Sequence, residues 1–566
     1  MNQQTPPSLD GAIGQRVRAA WAGNLQQLNW EQDFLAPFRT KTDKGMGYVG
    51  MGKTLSGLIH AARLYGGEAD ALRRKIVDEL LSTQEADGYI GIYEPSSRTY
   101  KVWDVHEQSY LLQALVENAA SFDDSKSLEA AARLGHWLVG RLSGGRLREV
   151  GKDFIWNPLA TIGLDRAMDA LSRATGDPAF VAFNRDEMGL PDWFDPIVED
   201  RLGEVCGHAY AYIARCLAQL EENGQSALPA ATQAVIAYLR VGGGLVVSGT
   251  CGHTECWHSD QRMDGKLGET CTTAYLVRWA AHLLHRTHEA WFGDLMERAI
   301  YNALFSASDV SGRRIRYYAA GEGKRKWHEG DTYCCPGNYR RIMGELPGFI
   351  ARPHANGVAI DLYESCRLTV PCGDLTVELK ITTDYPFANS VSIEVTPERA
   401  ATFPLTMRQP GWAHEVTMSL NGKQIAASPR NGWLTLEREW KAGDRIELVF
   451  AMPWRLVRGM RLQKEKVAIL RGPVVWGADP ADNEALGDRI AEVVPELASC
   501  RLNDDHRSAT VRGELDGQAV EVSLIPYYAL DTAVTYFTGR VGMGDESDHL
   551  LWLASDPIGV GEAPGA

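Results

Sequence analysis

From about Leu55 to Ile350 apolar residues recur three and four positions apart, the spacing that lines one face of an α-helix. The pattern predicts helices over Leu55–Leu64, Leu72–Leu81, Glu107–Ala119, Leu128–Leu142, Leu159–Ala174, Gly207–Leu220, Ala230–Leu239, Thr270–Leu284 and Trp291–Leu304. Several stop at glycine-bearing turns: Tyr65-Gly66-Gly67, Thr175-Gly176-Asp177 and Asn223-Gly224. Glycine just past a helix end is the expected stop signal. Short links between consecutive helices make antiparallel hairpins. Periodicity alone yields many helical hairpins and does not say how they close.

Around Pro353 the period changes. Short alternating runs follow at Val358–Leu362, Leu375–Thr382, Val391–Val395, Val416–Leu420, Trp433–Leu436 and Arg445–Phe450. Asn421-Gly422 between two of them is a hairpin turn signal. Short strands at this spacing read as a β-sandwich. A second β-rich stretch begins near Val467 and runs to about Leu553, and a Gly/Pro/Ala-rich tail ends the chain. The expected organisation is a helical catalytic domain over residues 1–350, a β-sandwich over 351–453, and a second β-rich domain with the tail over 454–566.

Composition narrows the function. At 566 residues the chain exceeds the roughly 250–300 at which a single core stops growing. Hydrophobic residues make up 45% and charged residues 23%, as in ordinary globular proteins. A formal net charge of −15 argues against nucleic acid or an anionic membrane as partner, since both require a basic surface. The N-terminal stretch lacks a basic segment followed by an apolar one, so no secretory signal is expected. No apolar run of ~18 residues predicts a membrane span. The expectation is a cytoplasmic protein whose ten cysteines are thiols.

Three short stretches carry the candidate chemistry: Gly252-His253-Thr254-Glu255-Cys256-Trp257-His258, Gly268-Glu269-Thr270-Cys271, and Tyr333-Cys334-Cys335-Pro336-Gly337-Asn338-Tyr339-Arg340-Arg341. The last two open predicted helices, where the helix dipole favours thiolate. Glu269, Cys271, Cys334 and Cys335 would supply the four thiolate or carboxylate ligands that Zn²⁺ takes. The spacing matches no zinc-finger pattern, and the competing reading is that these cysteines fill a core, as buried free cysteines often do.

Glu-Thr-Cys followed by Cys-Cys-Pro-x-Asn-x-x-Arg resembles glycoside hydrolase family 127, the β-L-arabinofuranosidase family. Glu297 with Arg298-Ala299-Ile300-Tyr301-Asn302, the Arg316-Tyr317-Tyr318 strand and Arg471-Gly472-Pro473 extend the resemblance over most of the chain. It implies an α/α toroid followed by C-terminal β-sandwiches. It implies a retaining exo-glycosidase with Zn²⁺ on Glu269, Cys271, Cys334 and Cys335, and Cys334 as nucleophile. A small carbohydrate, best a β-L-arabinofuranoside, is the implied substrate.

Glu255 is the matching proton donor, shifted by two residues from the family spacing, with His253 as an alternative participant. A carboxyl raised toward neutrality suits that role. His106 and His208, the latter in Gly-His-Ala, resemble pocket histidines, and Asn157 stands where the family commonly has histidine. Tyr318 and Trp257 are candidates to stack on a sugar face. The β regions offer, by analogy, a surface for a homodimer. Two other readings stay open on the residues: a toroid-fold sugar lyase or epimerase, or a hydrolase on another sugar, that does not use Cys334, and a carbohydrate-binding protein with a structural zinc.

Overall fold

The computed structural model describes residues 7–41, 48–101, 103–151, 157–188, 208–222 and 227–540. Among the described residues six helices form an inner ring: Met51–Tyr65, Asp104–Phe122, Leu164–Thr175, Ala209–Glu222, Thr270–Thr287 and Cys334–Glu345. Each packs on the next, and Cys334–Glu345 packs on Met51–Tyr65 to close the circle. Helices Gly67–Leu81, Ser125–Leu142, Pro178–Glu187, Ala230–Arg240 and Ala290–Ala299 alternate with them along the chain, completing hairpins of an α/α toroid. The ring is tight because small residues sit where backbones meet. A Cβ on Gly52 would lie 2.2 Å from the Tyr110 carbonyl carbon, and one on Gly57 3.0 Å from the backbone of Arg340.

Two predicted helices differ in detail. Leu159–Ala174 is interrupted: a short turn of helix, Asn157–Ala160, precedes Leu164–Thr175. Between them Gly163 adopts φ +82°, and its carbonyl accepts the Gln113 side-chain amide at 2.7 Å. Trp291–Leu304 becomes an α-helix to Ala299 and then a π-turn over Ile300–Leu304. There Asn302 donates to the carbonyls of Arg298 (2.7 Å) and Pro473 (2.9 Å) and accepts from the Val475 amide (2.8 Å). The motif asparagine thus ties the toroid to the third sheet.

The β region begins with a sandwich. One sheet runs Ser8–Leu9, Cys366–Cys372, Leu375–Thr383, Ser390–Pro397, Asp444–Phe450, Val416–Leu420 and Lys423–Ile425. The facing sheet is Trp433–Trp440, Ala401–Arg408, Gly357–Ile360 and Ala351–His354. Asn421 (φ 50°) and Gly422 (φ 79°) make the hairpin turn, with Leu420 opposite Lys423. A third sheet is built from strands between Trp454 and Thr538. Strands Cys366–Cys372 and Ala401–Arg408 escape the sequence pattern because Pro371 and Pro404 interrupt them. The edge strand Ser8–Leu9 comes from the start of the chain and pairs with Arg367 and Cys366. No helix among the described residues is long and apolar enough to cross a membrane.

The N-terminal helix Ala12–Ala19 is held by Glu364, whose carboxylate accepts the amides of Ile13 (3.1 Å) and Gly14 (2.8 Å). Burial pushes this carboxyl up to about 7. The folded chain therefore keeps a proton that the unfolded chain releases near pH ~4.3. Its contribution to stability falls as pH rises from there to about 7. Glu364→Gln is expected to gain in melting temperature relative to wild type as pH goes from acidic to alkaline; a constant difference between the two proteins would refute this.

Among the described residues eight cysteines are free thiols, and all eight are buried. Cys256 departs from the all-thiol expectation: it is disulfide-bonded. The expectation rested on compartment, which carries no information on which loops fold back on one another.

Candidate active site

Residues at the N-terminal ends of the inner helices converge at one mouth of the toroid. Glu269 caps Thr270–Thr287, Cys334 and Cys335 open Cys334–Glu345, His208 precedes Ala209–Glu222, and His106 lies in the first turn of Asp104–Phe122. Unpaired amides and the positive dipole ends therefore face a site rich in potential anions. A bridge between Glu269 and Tyr318 and the Thr270 amide on the Tyr317 carbonyl (2.9 Å) lay the Tyr317-Tyr318 segment beside it.

Ligand atoms of Glu269, Cys271, Cys334 and Cys335 all lie within 4.8 Å of one another. Cys271 and Cys335 sulfurs are 3.3 Å apart, Cys334 and Cys335 4.0 Å, and the Cys335 sulfur is 3.6 Å from Glu269 Oε1. Thr272 donates to the other Glu269 oxygen at 3.0 Å. This buried group can hold a metal ion. Cys271 and Cys335 are fully buried, whereas Cys334 keeps 8% exposure and faces the mouth.

Burial opposes ionisation of all three thiols. For Cys334 it is outweighed by hydrogen bonds from Cys271 and Cys335, the Lys53 charge and the Tyr317 hydroxyl, so this thiol lies well below its usual range. Cys271 and Cys335 are driven up, by burial first. A bound cation would favour the thiolate form of all three. Burial likewise lifts Glu269 to about 7.

Glu255 sits on a loop where Thr254 and Glu255 both take positive φ, 52° and 67°, a conformation that costs energy and clusters at functional sites. The turn aims its carboxylate at His208 (3.5 Å), Tyr317 (2.5 Å) and Tyr318 (3.4 Å). The Tyr317 hydroxyl also reaches the Cys334 sulfur at 3.7 Å, so one hydroxyl stands between carboxylate and thiol. Against expectation, Glu255 is lowered: burial raises it, but the hydrogen bonds from His208 and Tyr317 outweigh that. His208 moves the other way, burial being overcome by Glu255 and Glu269. The His208–Glu255 pair therefore titrates as a unit rather than as two separate groups.

The other sequence candidates divide. Tyr318 joins the cluster, leaning on Tyr317 with ring centroids 4.7 Å apart. His106 also lines it, but both ring nitrogens are occupied, by the Leu159 carbonyl (2.9 Å) and by Lys53 (3.0 Å). His253 is turned away, bound to Asp264 (2.6 Å) and Thr254 (3.0 Å). Trp257 is a core residue, 5% exposed, edge-on to Tyr212 and Tyr238. The Asn157 side chain lies outside the described residues. Tyr317 and Lys53 were missed. The first was hidden beside an equally aromatic neighbour; the second carried a signal, a lysine on the apolar face of its helix. A cavity of about 870 Å³ lies at the opposite end of the ring, lined by Arg63, Phe122, Glu345 and Val370 among others, far along the helices from the cysteines.

The profile of the β-L-arabinofuranosidase GH127 catalytic domain matches residues 26–348, and that of the GH127 middle domain residues 357–452. The chain belongs to the GH127 β-L-arabinofuranosidase family. It is a glycoside hydrolase. A non-reducing end β-L-arabinofuranosidase of Bifidobacterium longum is 22% identical over 557 residues, covering 82% of this chain and 83% of that protein. Among solved structures, a GH127 β-L-arabinofuranosidase from Geobacillus stearothermophilus T6 superposes with TM-score 0.76 at 19% identity, covering 95% of this chain and 100% of its own. A GH127 β-arabinofuranosidase gives 0.79 at 18%, covering 96% and 98%. These likenesses show that the GH127 fold extends over nearly the whole chain.

Proposed function

We propose that this GH127 member is a retaining exo-hydrolase of β-L-arabinofuranosides, with Cys334 as nucleophile and Glu255 as acid/base. The observation that carries this is the single Tyr317 hydroxyl between Glu255 and Cys334, the one sulfur of the cluster with an exposed surface. A retaining mechanism needs its two groups close, about 5–5.5 Å apart in carboxylate pairs.

The donor set suits zinc. With Zn–S bonds of about 2.3 Å, tetrahedral sulfurs stand ~3.8 Å apart, between the 3.3 and 4.0 Å observed. Glu269, Cys271, Cys334 and Cys335 would hold the ion, which when bound supplies the positive charge that keeps the sulfurs ionised at neutral pH.

The Cys334 thiolate attacks the anomeric carbon as the glycosidic C–O bond breaks, and the proton of the His208–Glu255 pair passes through Glu255 to the departing oxygen. Glu255 then takes a proton from water, whose oxygen displaces the Cys334 sulfur from the same carbon. Two inversions at one carbon leave its configuration retained. Tyr317 and Tyr318 steady Glu255 throughout.

The test is a panel of p-nitrophenyl glycosides with metal content assayed in parallel. β-L-Arabinofuranoside is the expected substrate, with β-L-arabinofuranose as the first product by NMR. Glu255→Gln should lower kcat/KM on an alkyl or disaccharide substrate by ~10²–10⁴-fold. The loss should be smaller on dinitrophenyl leaving groups, which need no proton. Equal losses on both leaving groups would remove Glu255 from the proton-donor role.

A further inference from the structure

Lys53 is fully buried, unusual for a lysine unless its charge is answered. Its ammonium lies over three tyrosine rings, 4.2 Å from the centroid of Tyr110, 5.1 Å from Tyr210 and 5.3 Å from Tyr48. It donates to the Tyr210 hydroxyl at 3.0 Å and contacts His106 Nε2 at 3.0 Å. All of these partners are neutral.

The surroundings fix its position. Glu107 accepts the amides of Val49 (3.1 Å), Gly50 (2.8 Å) and Gly52 (3.2 Å), pinning the start of the helix that carries Lys53. Adjacent residues thus bind the lysine twice, Glu107 through its backbone support and His106 through its head. On its other side a Cβ on Gly337 would come 2.9 Å from Lys53 Cβ. Gly337 is one helical turn beyond Cys334, so the lysine stem is wedged between the helices bearing the thiol pair and His106.

The hydrogen bonds also dictate a tautomer. His106 Nδ1 faces the Leu159 carbonyl, an acceptor, and must carry a proton. Nε2 faces an ammonium, a donor, and must be bare. Burial and the lysine charge both disfavour a second proton on the ring.

We propose that Lys53 is a positioning residue for this reaction: its caged ammonium occupies His106 Nε2 and so holds the ring as the neutral Nδ1–H tautomer at the sugar pocket. The effect on the reaction rests on the proposed function; the tautomer does not.

The test compares Lys53→Met and Lys53→Arg holoenzymes with wild type. Lys53→Met keeps the length of the stem and removes the charge and the donor. Its kcat should fall by about 10- to 100-fold, the scale of a hydrogen bond to a charged group, with a smaller change in KM. Lys53→Arg should recover part of the loss. In ¹⁵N-histidine-labelled protein, with His106 assigned by its disappearance in His106→Gln, the wild type should show a protonated Nδ1 and a bare Nε2 at all pH values where the enzyme is folded. Lys53→Met should keep the Nδ1 proton on the Leu159 carbonyl but let Nε2 take up a proton as the pH falls, which the wild type resists. A folded, metal-replete Lys53→Met with unchanged kcat would overturn the proposal, as would a wild-type His106 protonated at Nε2. If Lys53→Met does not fold, the wild type decides: a His106 that takes up a second proton while the enzyme is folded overturns the proposal. If the wild type cleaves no β-L-arabinofuranoside, the same resonances still test the tautomer lock separately from the substrate assignment.

Discussion

Cys334→Ala is expected to abolish hydrolysis, with a loss on the order of 10⁴-fold or more, as for other covalent nucleophiles. Removing the sulfur deletes the atom that must bond to the anomeric carbon, and no other thiol in the cluster is exposed enough to replace it. Cys271→Ala and Cys335→Ala should differ in kind. Each removes a fully buried donor, so metal content and activity should fall together, and added zinc should restore some of both. Cys334→Ala, by contrast, should stay inactive at any zinc concentration. Measurement of kcat/KM and of bound metal on the same samples separates the two classes. An active Cys334→Ala would end the cysteine mechanism.

Glu297→Ala is expected to be the most destabilising single change outside the site. Arg408, fully buried, reaches from the sandwich to the helix Ala290–Ala299, where it pairs with Glu297 at 2.7 Å and with Asp294. Glu297 also accepts the Trp412 indole N–H at 3.1 Å and the Tyr385 hydroxyl. Truncating Glu297 removes the acceptor of an indole and a phenol and leaves the Arg408 guanidinium with Asp294 as its one carboxylate partner, all in a dry interface. Breaking a buried pair in this way costs about 3–5 kcal/mol. The replacement should lower the melting temperature strongly while leaving the metal content of the surviving folded protein unchanged. A melting temperature equal to wild type would show that the network contributes little to holding toroid and sandwich together.

That network shows what a motif can and cannot reveal. Glu297 and Asn302 stand in the sequence as family signatures without a role, and only the fold shows them as fasteners between domains. In the site the division is similar. Glu269, Cys271, Cys334 and Cys335 are legible because four residues with metal-ligand chemistry open two helices, a local property. Glu255 is legible only as an acid near that motif. Its usefulness comes from two residues at positive φ and from Tyr317, 62 positions away. His253 and Trp257, two residues to either side, look equally suitable in the sequence, yet the loop turns one to Asp264 and the other into the core.

The sequence by itself determined the succession of helical hairpins, the change to strands near Pro353 and the inventory of ligands. Each depends on period, turn chemistry or residue type within a few neighbours. The tertiary structure alone decided that six helices close into a ring with their N-termini at one mouth, that Ser8–Leu9 edges a distant sheet, and that Lys53 is caged by tyrosines and His106 rather than in solvent. Those outcomes depend on contacts between residues tens to hundreds of positions apart. Their energies come from burial and pairing that no local pattern encodes, and the same apolar stripe serves a helix in a ring or in an open stack.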